Sequence, residues 1–254
     1  MKTISLLSIK GGTGKSTLSR IILNALCKLG FKCLAIDTDM GNHSLSFYYN
    51  KKLSFDEVQE KNIYNVFAGK SVADNVFKIS DNLDLLHADV RLSDFRSTTS
   101  LKKLKTALAG LTYDYVIIDC APVFDNVTVN VLSASDILVI PVVPDVLNHQ
   151  SLKYLFSKLP DLDNDLDLYI AINQYEKPRT GNKETLSNQV IDIFTLDEAF
   201  KNFIIPSYVS RSSVIKSYVN NPGYLINKRK ETAKQLKELG GLIKTITGLE
   251  TEEI

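Results

Sequence analysis

A glycine-rich loop near the start of the chain has the residues that a phosphate-binding loop needs. Positions 9–17 read Ile-Lys-Gly-Gly-Thr-Gly-Lys-Ser-Thr, between an apolar run and a helical pattern. The glycines let the backbone curl so that several N–H groups point inward, and a helix N-terminus adds a positive dipole end. Lys15 would neutralise the β and γ phosphates, and the Ser16 hydroxyl would bind Mg²⁺. The residues that we predict to hold a nucleotide are Gly11, Gly12, Thr13, Gly14, Lys15, Ser16 and Thr17.

Two carboxylates follow strand-like runs and could complete a metal and phosphate site. Asp119 ends the run Tyr115–Asp119, and Asp39 comes shortly after the run Lys32–Asp37. A carboxylate at the end of a strand in a doubly wound sheet is placed to hold Mg²⁺, usually through water. We therefore assign Asp119 to the metal together with Ser16, the alternative for Asp119 being a turn or capping residue. For Asp39 the alternative is an ordinary solvated loop acid.

Apolar runs that alternate with helical stripes must position these residues. The predicted strands are Thr3–Ile9, Lys32–Asp37, Leu83–Ala88, Tyr115–Asp119, Ile137–Val142 and Leu168–Ile172. The first helix is predicted over Ser16–Leu29, where apolar residues recur with helical spacing and Gly30 stops the pattern. Strands that are apolar on both faces and separated by helices predict an α/β fold, a doubly wound, mainly parallel sheet with helices on both faces. We expect one domain over 1–254, with no N-terminal helix-turn-helix domain.

The composition excludes several classes of protein. The chain has 254 residues with 30 Lys and Arg against 29 Asp and Glu, which excludes a globally basic nucleic-acid binder but allows a local basic face. Three cysteines without a CxxC pair argue against a disulfide scaffold, a structural zinc site or a cysteine-ligated cluster within one chain. No run of about 18 apolar residues is present, and we expect a cytoplasmic protein.

The sequence resembles the ParA/MinD family of P-loop ATPases over almost its whole length. The loop is similar to the family's deviant Walker A motif, with Lys10 as a second lysine at the loop's start. The segment AIDTDMGN at 35–42 resembles the second family block, and YDYVIIDCAP at 113–122 resembles the Walker B block. The segment 131–145 and the Ile-Pro at 205–206 also fit.

This resemblance implies roles that the residues alone do not show. Lys10 would cross to the nucleotide of a partner subunit in a face-to-face dimer, in the manner of an arginine finger, and Asp39 would orient the attacking water. The catalytic residues would then be Lys10, Lys15 and Asp39. Asn173 would contact adenine and Pro206 would pack on the base, although a turn asparagine and a plain loop proline are the alternatives.

A basic stretch at 201–230 could contact DNA. It contains no Asp or Glu, which suits contact with the phosphate backbone without base readout, whereas the alternative is a merely solvated face. The predicted contacts are Arg211, Lys216, Lys228, Arg229 and Lys230. The C-terminal segment has Gly240 and Gly241, which we expect to break the last helix, and an acidic end, which opposes binding to an anionic membrane.

The resemblance implies a DNA partition ATPase. ATP and Mg²⁺ would drive formation of a homodimer that binds DNA nonspecifically, and a ParB-like centromere-binding protein would stimulate an otherwise weak ATPase and cause release. The protein would then be cytoplasmic and associated with the nucleoid. One alternative is a MinD-like spatial regulator of division or of surface-structure placement. Another is a metabolic member of the superfamily.

Overall fold

A seven-stranded sheet forms the centre of the computed structural model. The model describes residues 1–39, 41, 44–49, 53–97, 100–161, 165–176, 186–220 and 230–250. Within them the strands are β1 (Lys2–Leu6), β2 (Cys33–Asp37), β3 (Phe77–Ser80), β4 (Leu83–Leu86), β5 (Tyr115–Asp119), β6 (Ile137–Val142) and β7 (Asp167–Ile172). Their order across the sheet is β3-β4-β2-β5-β1-β6-β7.

The predicted doubly wound, mainly parallel sheet is confirmed. All six predicted strands are present, and every strand pair is parallel except β3 with β4. The strands β1, β2, β5 and β6 are buried along almost their whole length, which explains their continuous apolar runs. The sequence analysis missed β3, a four-residue edge strand that alternates between buried Phe77 and exposed Lys78.

Helices cover both faces of the sheet and form two hydrophobic cores. The α-helices are α1 (Lys15–Lys28), α2 (Leu45–Tyr49), α3 (Phe55–Glu60), α4 (Ile63–Phe67), α5 (Lys103–Leu108), α6 (Asn126–Ala134), α7 (Val146–Phe156), α8 (Leu186–Leu196), α9 (Ser213–Asn220) and α10 (Lys230–Thr247). One core packs α1, α2, α9 and α10 on one face, and the other packs α4, α5, α6, α7 and α8 on the opposite face. Among the described residues, none of these helices is long and apolar enough to cross a membrane.

The expectation that two glycines break the last helix is wrong. Helix α10 runs without interruption through Gly240 and Gly241. Its apolar residues Leu239, Ile243 and Ile246 are buried in the first core, and this packing outweighs the poor helix propensity of glycine. A Cβ atom at position 241 would lie 2.8 Å from the Oγ of Ser207, so the glycine allows the segment before α9 to approach the helix closely.

Candidate nucleotide site

The glycine-rich loop lies between β1 and α1, with the backbone that its sequence predicts. Gly12 has a φ of +78° and Gly14 a φ of +96°, a region that strongly favours glycine. Gly14 is also the N-cap residue of α1 and has no side chain to satisfy the first N–H groups of the helix. Those groups therefore remain available to an anion at the N-terminus. Lys15 follows immediately, and its residue is only 6% exposed.

Two side chains at the end of β7 hold this loop in place. The Nδ2 of Asn173 donates to the carbonyl of Thr13 at 2.7 Å, and the Nε2 of Gln174 donates to the carbonyl of Gly12 at 2.7 Å. A Cβ atom on Gly14 would collide with the Asn173 amide. Position 14 therefore needs a glycine both because a side chain has no room there and because φ is positive. Gln174 has a φ of +54°, the one positive value outside glycine among the described residues. Sequence reasoning missed Gln174 and gave Asn173 a different role, contact with adenine, which stays a prediction.

Asp119 is a buried carboxylate without a hydrogen-bond partner in the described part of the chain. It ends β5, in register with Asp37 of β2 on one side and Leu6 of β1 on the other, and it is fully buried. Both of its oxygens lack a partner, as does the buried Oγ1 of Thr13 in the loop. Burial raises the pKa of Asp119 and the Asp37 charge raises it further, whereas the Ser16 hydroxyl and the Lys15 ammonium oppose this shift.

Such an orphaned carboxylate beside a phosphate-type loop fits a bound cation. A buried charge is costly unless it is paired, and a divalent ion would supply the missing charge. Among the described residues, no group of three or more His, Cys, Asp or Glu side chains could hold a metal ion by itself. A metal here would therefore take most of its ligands from phosphate and water, which is usual for Mg²⁺.

The two aspartates after β2 have different surroundings. Asp37 is fully buried and organises the turn, because its two oxygens accept the N–H groups of Asp39 at 2.9 Å and Ser46 at 2.6 Å. Burial raises the pKa of Asp37 to about 6, although the Ser46 and Asp39 hydrogen bonds oppose the shift. Asp39 is half-buried and accepts the N–H of Gly41 at 2.9 Å. The charge of Asp39 also raises the pKa of Asp119, so it lies at the same edge of the sheet.

Lys10, at the start of the loop, is paired with an acidic side chain from outside it. Its ammonium forms an ion pair with Asp145 at 2.8 Å, and both side chains are about one third exposed, at 32% and 38%. Asp145 is the N-cap of α7, where it also accepts the N–H of Asn148. Burial raises the pKa of Asp145, but the Lys10 and Asn148 hydrogen bonds outweigh it and lower the pKa below its usual value. The next two residues, Val146 and Leu147, are 57% and 60% exposed.

An irregular segment runs beside β7. Ile204 bridges to Ile170, and Ser210 bridges to Tyr175, so residues 204–211 run along the strand that ends near Asn173. Pro206 is exposed in the middle of this segment, near the end of β7. The structure thus places Asn173 and Pro206 on neighbouring stretches of chain, and their contact with a base remains a prediction.

The predicted DNA contacts are only partly described. Lys228 and Arg229 lie outside the described residues, and the side chains of Lys216 and Lys230 are not described. The acids that pair with two of the cations of this stretch lie outside it in the sequence. Arg211 pairs with Glu176 at 2.6 Å, and Lys201 pairs with Glu198 at 2.6 Å. A charge count along the sequence missed the first pair because Glu176 is distant in sequence and reaches Arg211 through the fold.

Comparison with known proteins identifies the family. The AAA_31 family model, an AAA domain, matches residues 1–172. The chromosome-partitioning ATPase Soj of Treponema pallidum is 30% identical over 217 residues, which cover 83% of this chain and 85% of Soj. The cell division protein PomZ of Myxococcus xanthus is 28% identical over 223 residues, which cover 80% of this chain but 65% of PomZ, slightly less than two thirds.

A solved structure extends the similarity to the whole fold. A Borrelia burgdorferi B31 protein named for plasmid partition, bound to AMPPNP, superposes with a TM-score of 0.76 and 27% identity. The match covers 96% of this chain and 99% of the Borrelia chain.

The contact from Gln174 to the loop gives a first test. Gln174→Ala removes the hydrogen bond to the Gly12 carbonyl, which is worth about 1 kcal/mol, so we expect ATP affinity to fall roughly fivefold. Because the side chain is at the surface edge of the loop, the thermal midpoint without ligand should barely change. Calorimetric titration with Mg-ATP measures the affinity, and Gln59→Ala, an exposed glutamine on α3, is the matched control. Unchanged affinity in Gln174→Ala would mean that the loop keeps its shape without this contact.

Proposed function

Since the chain belongs to the AAA_31 family and, within it, to the ParA/MinD group of P-loop ATPases, we propose that it is a DNA partition ATPase. In this proposal it binds Mg-ATP, forms a homodimer, binds DNA without sequence preference and is released after hydrolysis. A ParB-like centromere-binding protein stimulates the weak ATPase. The names of the Soj and Borrelia relatives support the biological setting. We also propose that residues 1–254 act as one ATPase domain, cytoplasmic and associated with the nucleoid.

The phosphates and the metal are assigned to the loop and to Asp119. The N–H groups of Gly11, Gly12, Thr13 and Gly14 and of the first turn of α1, including Thr17, surround the phosphates, while Lys15 neutralises their charge. Ser16 and Asp119 hold Mg²⁺, which would supply the counter-charge that the buried Asp119 carboxylate lacks. At the base, the proposal keeps Asn173 and Pro206 as adenine contacts.

The single observation that best supports the proposed dimer is the ion pair of Lys10. In this proposal Lys15 serves the chain's own phosphates, whereas the Lys10 ammonium is held by Asp145 at the start of α7. An ion pair that is one third exposed is worth about 1 kcal/mol or less, so Lys10 can leave Asp145 at little cost. Beside it, Val146 and Leu147 expose apolar surface that a second copy of the chain would cover. Lys10 would then reach the partner's nucleotide and neutralise charge that one chain leaves exposed.

Asp39 is proposed to position the attacking water. One of its oxygens is tied to the N–H of Gly41 at 2.9 Å, which fixes the direction of the carboxylate. Its backbone N–H is in turn held by Asp37, so the whole turn is anchored to β2. Phosphoryl transfer needs such positioning more than it needs strong proton transfer.

Arg211 is the described residue that best supports DNA contact. Its side chain is 68% exposed, and the ion pair with Glu176 at the surface is too weak to keep it from a phosphate. A MinD-like spatial regulator remains the second candidate, because PomZ is named as a cell division protein. The two candidates differ in what the ATP-bound dimer binds, which is DNA in one and a membrane or protein surface in the other.

Two variants should separate dimerisation from hydrolysis. Lys10→Ala should still bind ATP but stay monomeric, because its charge is needed only across the interface. Asp39→Ala should bind ATP and remain dimeric, because only the water loses its position. Light scattering with Mg-ATP measures the two oligomeric states, and ATP turnover should be lost in both. A Lys10→Ala protein that dimerises like the wild type refutes the role across the interface, and a monomeric Asp39→Ala protein refutes the water-positioning role.

Variants of the Arg211–Glu176 pair test the proposed contact with DNA. Arg211→Ala should weaken binding of the ATP-bound protein to any DNA sequence and lower the log–log salt slope by about 1. Glu176→Gln should strengthen binding, since it releases Arg211 and removes a negative charge. Fluorescence anisotropy at several salt concentrations measures both effects. Lys78→Ala and Asp81→Asn break a similar exposed pair between β3 and the residue that follows it, and they should change nothing. Equal effects in the two pairs would show that the Arg211 region is only a solvated face.

A further inference from the structure

The segment 204–211 is connected to the last helix through a single residue. Glu238, near the middle of α10, accepts two hydrogen bonds from Ser210 with its carboxylate. Its Oε2 accepts the backbone N–H at 2.9 Å, and its Oε1 accepts the hydroxyl at 2.7 Å. The backbone carbonyl of Glu238 accepts the Ser207 hydroxyl at 2.7 Å. One helical residue therefore holds both ends of the stretch 207–210.

Burial makes the contacts with Ser210 strong. The side chain of Glu238 is only 14% exposed, and Ser210 is buried. A carboxylate that is largely removed from water needs such donors, and hydrogen bonds to an ionised group are stronger than those between neutral groups. Lys234, one turn earlier on α10, is exposed and lies 3.5 Å from Oε1, so it contributes little to holding the carboxylate.

A glycine in α10 makes room for the other contact. A Cβ atom at position 241 would lie 2.8 Å from the Oγ of Ser207 and 3.1 Å from its Cβ. A larger residue would therefore push Ser207 away from the Glu238 carbonyl. Glycine is unfavourable inside a helix, so its presence here is explained by the close approach of the segment 204–211.

Backbone hydrogen bonds to β7 hold the same segment independently. The N–H of Ile205 donates to the Ile170 carbonyl, and the N–H of Val209 donates to the Ile172 carbonyl, both at 2.9 Å. Pro206 lies between these two contacts and has no N–H of its own to donate. Its position is therefore set by its neighbours, which β7 holds through the backbone and α10 holds through Glu238.

These contacts concern the base of a nucleotide and not its phosphates. In the proposed function Pro206 contacts adenine, whereas the phosphates bind the loop at 9–17. Within the described part of the chain, the hydrogen bonds that Glu238 accepts from outside its own helix come from the segment 204–211. A change at Glu238 should therefore affect the region of the base and leave the phosphate loop unchanged.

From this arrangement we propose that Glu238 and Ser210 form a clamp that positions Pro206 against the base, and that this clamp sets how much adenine adds to the affinity for ATP. Both are positioning residues, because they act through the segment 204–211 and not by touching the nucleotide. The inference rests on the proposed function, from which it takes the nucleotide site and the contact of Pro206 with adenine.

A ligand that has phosphates but no base separates this role from a general effect on the fold. Calorimetry measures the affinities for Mg-ATP and for Mg-tripolyphosphate. For Mg-ATP we expect a loss of about tenfold in Glu238→Gln, which removes the charge, and about fivefold in Ser210→Ala, which removes only the hydroxyl. The affinity for tripolyphosphate should stay within twofold of the wild type. Ser210→Ala is the milder change and gives the answer even if Glu238→Gln does not fold.

The chain contains a matched control pair with the same chemistry. Ser54 donates its backbone N–H at 3.1 Å and its hydroxyl at 2.6 Å to the carboxylate of Glu57, at the start of α3. The residues of α3 all remain partly or fully exposed. Ser54→Ala and Glu57→Gln remove the same kinds of hydrogen bond, and they should leave both affinities within twofold of the wild type.

Several results would overturn the clamp. Equal weakening of both ligands in the clamp variants would show a general loss of structure, and unchanged affinity for Mg-ATP would show that the clamp does not reach the base. A loss as large in the control pair would contradict it as well. So would a wild type that binds Mg-ATP but no tripolyphosphate, because the phosphates would then not bind apart from the base. A wild type that binds neither ligand would instead contradict the proposed function itself.

Discussion

The rest of the site depends on one buried carboxylate that has no partner. Asp119 lies at the carboxyl end of β5, fully buried beside Asp37, and neither of its oxygens has a hydrogen bond in the described part of the chain. A carboxylate charge in such a place costs several kcal/mol unless it is paired. The fold tolerates it because Lys15 and Ser16 lie close and because a cation would satisfy it. The buried carboxylate therefore lowers the stability of the fold, and the same carboxylate is the group that would bind the cation.

The geometry around this carboxylate comes from elements that are far apart in sequence. The parallel order of β2, β5 and β1 brings Asp37, Asp119 and the end of the loop-bearing strand to one edge. From β7, Asn173 and Gln174 reach back to the carbonyls of Thr13 and Gly12. The phosphate-type loop is therefore held by its own glycines on one side and by the last strand of the sheet on the other.

Local signals were enough to predict the loop, most strands and the first helix. The glycines at positions 12 and 14 predict positive φ values, and the continuous apolar run at 115–119 predicts a buried strand. What the sequence could not reveal are contacts between distant residues, such as Lys10 with Asp145 and Arg211 with Glu176. The same limit explains the last helix, where packing against the core overrides the glycine signal, and the edge strand β3, which has too little apolar surface to stand out.

The central claim, that Asp119 is kept unpaired to meet a metal ion with ATP, is tested most directly by the thermal midpoint of Asp119→Asn. Asparagine has nearly the same shape without the charge, so the variant without ligand should melt at or above the wild-type midpoint. Mg-ATP should raise the midpoint of the wild type more than ATP with EDTA does, and this difference should vanish in the variant. A variant that is destabilised without ligand, yet keeps the full magnesium-dependent gain, would contradict the claim.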